Sequence, residues 1–92
     1  MVTDVRMTDE VIKQLRRVPR AIGRKLQKWV DDVSVFGLEE VRKRPGFHDE
    51  PLKGKRQGQR SIRLNRQWRA IYVIAGGHAQ FVRIEEITPH DY

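Results

Sequence analysis

Apolar residues recur every three or four positions in the N-terminal part of the chain, and this spacing is typical of amphipathic helices. The first run consists of Val11, Leu15 and Val18, and the second of Ile22, Leu26, Trp29, Val33 and Phe36. Thr8 is a favourable N-cap for the first helix, Pro19 suits the first residue of the second, and Gly37 suits its end. The pattern predicts a helical hairpin with Trp29 in its core.

The apolar spacing changes to every second position near residue 60, which is typical of strands with one buried face. Residues 62–64 form a short alternating run, and residues 68–75 form a longer apolar and β-branched one, as expected of a central strand. Gly76-Gly77 predicts a hairpin turn, and residues 79–87 predict the returning strand.

The remaining segments complete one small domain. Residues 1–6 fit a short edge strand, residues 38–44 fit an additional helical turn, and residues 47–58 fit a loop. Pro89 has no amide hydrogen, so ladder pairing is expected to stop there. A chain of 92 residues has room for a single domain, residues 1–92. The prediction is an α+β fold with an N-terminal helical hairpin packed on a small twisted antiparallel β-sheet.

The composition fits a globular protein and excludes several classes. Hydrophobic residues make up 38% of the chain and charged residues 34%, which is too apolar for a disordered tail. Cysteine is absent, which excludes a disulfide-stapled fold, thiol catalysis and a cysteine zinc site. No apolar run reaches the length of a membrane span, and no signal-peptide core follows the N-terminus. We therefore expect a cytoplasmic protein without membrane contact.

Basic residues are concentrated in one segment. The chain has 19 Lys and Arg residues against 12 acids, for a formal net charge of +7. Residues 53–69 hold no acid and seven of the basic residues, namely Lys53, Lys55, Arg56, Arg60, Arg63, Arg66 and Arg69. The other 75 residues carry 12 basic and 12 acidic groups and balance. Such a segment is expected of a protein that neutralises phosphates, and a solubilising surface is the alternative.

Strand alternation predicts where two of these cations point. Arg63 and Arg69 are out of phase with their apolar neighbours, so we expect them on the sheet face that the helices leave free. Cations from adjacent strands on one free face would form a groove for a polyanion. Arginine suits such a groove because its guanidinium binds phosphate with two parallel hydrogen bonds.

The three histidines, His48, His78 and His90, match no metal-binding spacing, so neither a metal site nor a cofactor is predicted. His90 lies two residues before Tyr92, and in an extended tail both side chains project to the same side. Imidazole is well suited to proton transfer near neutral pH. The pair is therefore a candidate catalytic element, and a frayed chain end is the alternative.

Several short motifs occur together in this chain: Pro45-Gly46-Phe47, Pro51-Leu52-Lys53-Gly54, Ser61-Ile62-Arg63-Leu64, Gln67-Trp68-Arg69 and Pro89-His90-Asp91-Tyr92. With this combination the chain resembles toxins of the RelE/ParE superfamily, and more closely the HigB-type mRNA interferases of type II toxin–antitoxin systems. The resemblance covers nearly the whole chain and implies the RelE-like microbial RNase toxin fold.

The resemblance implies a ribosome-dependent mRNA endonuclease that inhibits translation by metal-independent cleavage. By match to the motifs, Lys53 and Arg69 would stabilise the phosphate, and His90 and Tyr92 would transfer protons and orient the nucleotide. Gln67 and Trp68 would place the bases, although the phase of Trp68 also fits the core. The residues expected to hold the RNA backbone are Lys55, Arg56, Arg60, Arg63 and Arg66.

The resemblance also implies partners. These are the ribosome and its mRNA, and a cognate HigA-like antitoxin with a helix-turn-helix, through which alone operator DNA is contacted. Two alternatives stay open: a ParE-like toxin that poisons DNA gyrase by protein contact, and an RNA-binding module without catalysis. The His90-x-Tyr92 end favours the nuclease, because a gyrase poison does not need it.

Overall fold

The computed structural model describes residues 1–89 and places five strands and three helices in them. Their bounds are β1 Val5–Met7, α1 Asp9–Leu15, α2 Arg20–Phe36, α3 Leu38–Val41, β2 Glu50–Pro51, β3 Arg60–Arg63, β4 Trp68–Ala75 and β5 Phe81–Pro89. Two 3₁₀ turns lie at Pro45–Phe47 and Gly54–Arg56. The predicted α+β fold is confirmed. No helix in this part of the chain is both long and apolar enough to cross a membrane.

The five strands of the described residues form one sheet in the order β1-β5-β4-β3-β2. Strand β4 is central, as the apolar run at 68–75 predicts, and β1 is an edge strand, as residues 1–6 predict. The expectation of a purely antiparallel sheet is wrong at this edge, because β1 pairs parallel to β5 with Val5 opposite Val82. Parallel pairing needs a long crossover, and the helices and the other three strands supply it.

The helical hairpin covers one face of the sheet. Leu26 and Trp29 of α2 are fully buried and belong to one core cluster with Ile62, Tyr72 and Ile84. The Trp29 and Tyr72 ring centroids are 5.1 Å apart. The assignment of Trp29 to the core is confirmed. The helices therefore occupy the inner face of the sheet, and the side chains that alternate with these strand residues point to the outer face.

The helix ends follow the predicted capping with two differences. The Thr8 hydroxyl accepts a hydrogen bond from the Val11 amide at 3.2 Å, so Thr8 is the N-cap of α1. Helix α1 ends at Leu15, short of Val18, because a residue that precedes proline is disfavoured in the helical conformation. Pro19 is the N-cap of α2 and not its first residue.

The segment between α3 and β3 is more regular than the predicted loop. Its strand β2 is only two residues long and pairs Glu50 with Ser61 and Pro51 with Arg60. A two-residue strand has no periodicity that a sequence pattern reveals. At the other end, β5 runs through Pro89, which lies in register with Trp68, so pairing extends two residues beyond the predicted strand.

Candidate nucleic-acid interface

Two arginines lie directly opposite each other on the outer face of the sheet. Arg63 on β3 and Arg69 on β4 are register partners, and their neighbours Ile62 and Ala70 point into the core. Like charges directly opposite in an antiparallel pair destabilise the sheet. We call Arg63 and Arg69 the arginine pair. Their position confirms the strand phase predicted from the sequence.

The two members of the arginine pair differ in environment. Arg63 is exposed, whereas only 7% of Arg69 is accessible to solvent. Arg69 Nη1 donates to the backbone oxygens of Asn65 at 2.9 Å and Trp68 at 3.2 Å. Within residues 1–89, Arg69 makes no ion pair with a carboxylate. Among residues 1–89 only carbonyl dipoles compensate this buried guanidinium, a setting that suits the binding of an anion.

The turn between β3 and β4 supports this arrangement. The Asn65 side-chain oxygen accepts hydrogen bonds from the backbone amides of Gln67 and Trp68, both at 2.8 Å. This local bonding is typical of turns that begin with asparagine. The turn leaves Arg66 and Gln67 exposed beside the arginine pair. Trp68 is half-buried and packs against the core, on the opposite face from Arg69.

The outer face is less open than the sequence analysis expects. Ser61 and Ile71 lie on it as register partners, yet both are buried. Arg56 comes from the preceding loop, and its Nη2 contacts the Glu86 carboxylate of β5 at 3.3 Å. Because Glu86 is the register partner of Ile71, Arg56 reaches over the outer face. The expectation that this face is free is therefore wrong around Ile71.

The loop that carries Arg56 also presents two lysines. Its base is closed by a hydrogen bond from the Leu52 amide to the Gln59 carbonyl at 2.9 Å. Lys53 and Lys55 are exposed on either side of Gly54, whose φ of +66° suits glycine. Lys53, Lys55 and Arg56 are thus carried by one closed loop, residues 52–59, that is anchored to the outer face.

Arg60 lies apart from these cations, on the inner side of β3 opposite Tyr72. Its Nε donates to Asp49 Oδ1 at 2.7 Å, and the Tyr72 hydroxyl donates to Asp49 Oδ2 at 2.5 Å. The Asp49 side chain is fully buried. Burial is the largest single influence and lowers the pKa of Arg60, but the hydrogen bond to Asp49, the charge of Asp49 and the contribution of Tyr72 together outweigh it, so this pKa is raised. Burial, followed by the bond to Asp49, raises the pKa of Tyr72 far above its ordinary value.

Sequence reasoning missed this network. Arg60 is in phase with Ile62 and Leu64, and that phase was available as a signal that it points inward. Nothing in the sequence marks Asp49 as its partner, because the contact depends on how the loop folds back. The structure thus brings Arg63, Arg69 and Arg56 to one face and places Arg60 elsewhere.

Two of the candidate catalytic residues, His90 and Tyr92, lie outside the described residues. His48 and His78 are both exposed. No group of three or more His, Asp or Glu side chains within residues 1–89 is arranged to hold a metal ion.

Solved structures share this fold. No protein-family model matches the chain, and no curated protein matches it in sequence. A chain of the archaeal RelE–RelB complex from Pyrococcus horikoshii OT3 aligns with a TM-score of 0.74 at 23% identity, covering 99% of this chain and 98% of that one. The YoeB/ParE toxin from Agrobacterium tumefaciens aligns with a TM-score of 0.71 at 18% identity, covering 95% and 98%.

A third likeness is to the toxin–antitoxin complex RelBE2 from Mycobacterium tuberculosis, with a TM-score of 0.70 at 22% identity, covering 98% of this chain and 100% of that one. At these identities the likeness establishes the fold, which is that of the RelE-like toxins. The closer resemblance to HigB-type members stays a prediction.

Proposed function

We propose that this protein is the toxin of a toxin–antitoxin pair and that it cleaves mRNA on the ribosome. The arginine pair carries the proposal, because it sets a buried cation with no carboxylate partner among residues 1–89 beside an exposed one. That arrangement is suited to a phosphodiester, and the fold is shared with the YoeB/ParE toxin from Agrobacterium tumefaciens and with the toxin–antitoxin complex RelBE2.

The proposed chemistry uses the RNA itself as nucleophile. The 2′-hydroxyl attacks the adjacent phosphorus, the bond to the 5′-oxygen breaks, and the products are a cyclic phosphate and a 5′-hydroxyl. Arg69 and Lys53 stabilise the charge that develops on the phosphate oxygens. His90 and Tyr92 are assigned the proton transfers, one from the attacking hydroxyl and one to the departing oxygen. No metal ion or cofactor is required in this scheme.

The proposed partners follow from the proposed function as a toxin. Complexes with antitoxins are among the related structures, including the RelE–RelB and RelBE2 complexes. We propose that a cognate antitoxin neutralises this chain in the cytoplasm, that it is HigA-like with a helix-turn-helix, and that it alone contacts operator DNA. The remaining cations, Lys55, Arg56, Arg63 and Arg66, are assigned to the RNA backbone, and Gln67 to base placement.

Cleavage of a translated message tests the proposal. Wild-type protein is expected to cut mRNA only while ribosomes translate it, and a 2′-deoxy substitution at the cut nucleotide is expected to abolish the cut. Arg69→Ala should lower the cleavage rate by about 10²–10³-fold, the usual loss when one oxyanion-stabilising donor is removed. Arg42→Ala is the matched control, because Arg42 is exposed and lies outside the interface.

A gyrase-directed toxin is the second candidate, because one structure with this fold is the YoeB/ParE toxin from Agrobacterium tumefaciens. If the protein causes double-strand DNA breaks and leaves mRNA intact, it is a gyrase-directed toxin and not an mRNA endonuclease. RNA binding with neither kind of damage would leave a binding module.

A further inference from the structure

A second segment of the chain is as basic as residues 53–69. Residues 11–30 contain seven Lys and Arg residues and no acid. All 12 acids therefore lie outside both this segment and residues 53–69, in a remainder of 55 residues with five basic groups and a net charge of −7. The 75 residues outside 53–69 have no net charge because the positive charge of residues 11–30 and the negative charge of the remainder cancel. The second cationic region lies on the helical hairpin.

The exposed cations at the junction of α1 and α2 form no ion pair with a carboxylate of the described residues. The exposed members are Lys13, Arg16, Arg17, Arg20 and Arg24. Within residues 1–89 none of these five forms an ion pair, whereas Lys28 in the next turn of α2 pairs with Asp32 at 3.0 Å. Arg20 and Arg24 lie four residues apart on α2, so their like charges repel each other, and within residues 1–89 neither is paired with a carboxylate. An external polyanion would offset this repulsion.

The two members of this group that lie in α2, Arg20 and Arg24, point away from the sheet. Arg20 and Arg24 are four residues apart and lie on one stripe of α2. Ile22 and Leu26 are buried in the core, about half a helical turn away around the axis. The arginine pair lies beyond the sheet on its outer face. The two cationic surfaces therefore occupy opposite sides of a molecule whose extents are 34 × 30 × 28 Å.

The chemistry of this surface fits nucleic acid better than protein. Protein interfaces have an apolar centre, and Ile12 is the one large apolar side chain of residues 11–30 that is exposed in the described structure. Nucleic-acid interfaces are more polar and more positively charged. Because the second surface is on the far side from the arginine pair, one short single strand does not reach both. A large folded RNA that surrounds the protein does.

We infer that the exposed cations of residues 13–24 form a second nucleic-acid-binding surface, which contacts the phosphate backbone of a folded RNA while the arginine pair holds the strand to be cut. The inference rests on the proposed function, under which the folded RNA is ribosomal.

Equilibrium binding to purified ribosomes without mRNA tests this surface. The variant Arg20→Gln/Arg24→Gln removes two of its cations, and Arg42→Gln/Lys43→Gln removes two exposed cations elsewhere. Each variant lowers the net charge equally. The first is expected to weaken binding by about tenfold near 0.1 M salt and to reduce the slope of log affinity against log salt by about 1.5, the contribution of two phosphate contacts. The second should bind as wild type does.

An unchanged salt slope for Arg20→Gln/Arg24→Gln would overturn the inference, and so would equal losses in both variants, which would reflect net charge alone. Tighter binding of wild type to polyglutamate or to duplex DNA than to ribosomes would overturn the assignment to RNA. The outcome is separable from the proposed function. Ribosome binding that requires Arg20 and Arg24 supports this surface even if wild type cleaves no mRNA, in which case only the endonuclease fails.

Discussion

Asp49 connects the loop to the sheet through two side chains. Its carboxylate accepts from Arg60 and from Tyr72, and it lies just before β2 and the lysine-bearing loop. Gln59, at the far end of that loop, bonds to the Leu52 amide and closes it. The buried network therefore fixes where the loop begins relative to the core, and so supports the position of its exposed cations.

Loss of the Asp49 carboxylate should be costly. Asp49→Ala leaves Arg60 mostly buried and unpaired, and is expected to lower the free energy of unfolding by about 3 kcal/mol, the low end for a broken buried pair. Asp4→Ala is the matched control, because Asp4 and Arg6 form an exposed ion pair at 3.0 Å. That control should change stability by less than about 1 kcal/mol. Chemical denaturation measures both, and equal effects would contradict the structural role of Asp49.

Tyr72 should make stability sensitive to alkali. Its pKa is raised in the folded state above the ordinary value of 10.0, so the folded chain keeps a proton that the unfolded chain loses. The stabilisation is complete below pH 10 and declines as the pH rises above it. Between pH 10 and 11, wild type should lose about 1 kcal/mol more than Tyr72→Phe, because the unfolded tyrosine passes from half to almost fully ionised over this range. Parallel pH profiles for the two proteins would contradict this.

At the residue scale, the sequence predicted the direction in which a side chain points better than the residue that it contacts. Strand phase correctly placed the arginine pair on one face, because alternation is a property of the backbone. It did not reveal that Arg56 reaches Glu86 or that Arg60 meets Asp49, because those contacts depend on the path of a loop without periodicity. The roles of Lys53, His90 and Tyr92 remain predictions.

At the scale of elements, Gly37 joins α2 to α3 in a conformation that other residues avoid. Its φ of +86° and ψ of 149° lie in a region that is essentially restricted to glycine. A Cβ there would also approach the Met1 side chain. The sequence predicted the helical spacing before Gly37 and the end of α2 at this glycine. It did not predict the backbone conformation of Gly37, because several kinds of C-terminal cap use glycine.

Gly37→Ala should therefore destabilise the protein by about 1–3 kcal/mol. Gly46→Ala is the control, because Gly46 has no positive φ and no atom within 4 Å of an added Cβ. It is expected to be neutral or slightly stabilising. Thermal unfolding of both variants checks the contrast, and a Gly37→Ala protein as stable as Gly46→Ala would contradict the strain.

At the scale of the whole molecule, the described residues 1–89 form one hydrophobic core. The buried apolar residues of the described chain run from Val2 to Ile87. Truncation after Pro89 should accordingly leave the circular dichroism spectrum, the melting temperature and antitoxin binding close to those of wild type. Cleavage should fall by about 10²–10⁴-fold, the usual effect of losing a proton-transfer group.

His90→Ala separates the side chain from the tail as a whole and should match the truncation in cleavage. A truncated protein that cuts mRNA at the wild-type rate would contradict the assignment of His90 and Tyr92. A truncated protein that unfolds would show that the tail is structural.

The layout of the whole molecule was largely predictable, because long periodic runs define the helices and the central strands. The parallel edge strand was not, since pairing between Val5 and Val82 leaves no local pattern in either segment.

The place of β5 in the sheet has a consequence for synthesis. This strand is the last one described, yet it lies between β1 and β4 in the sheet and pairs with both of them. Contacts between residues so distant in sequence form late. A nascent chain that lacks residues 81–89 has no partner strand for β1 and only β3 as a partner for β4. The complete sheet can therefore form only after residues 81–89 have been synthesised, so synthesis of this segment precedes completion of the fold.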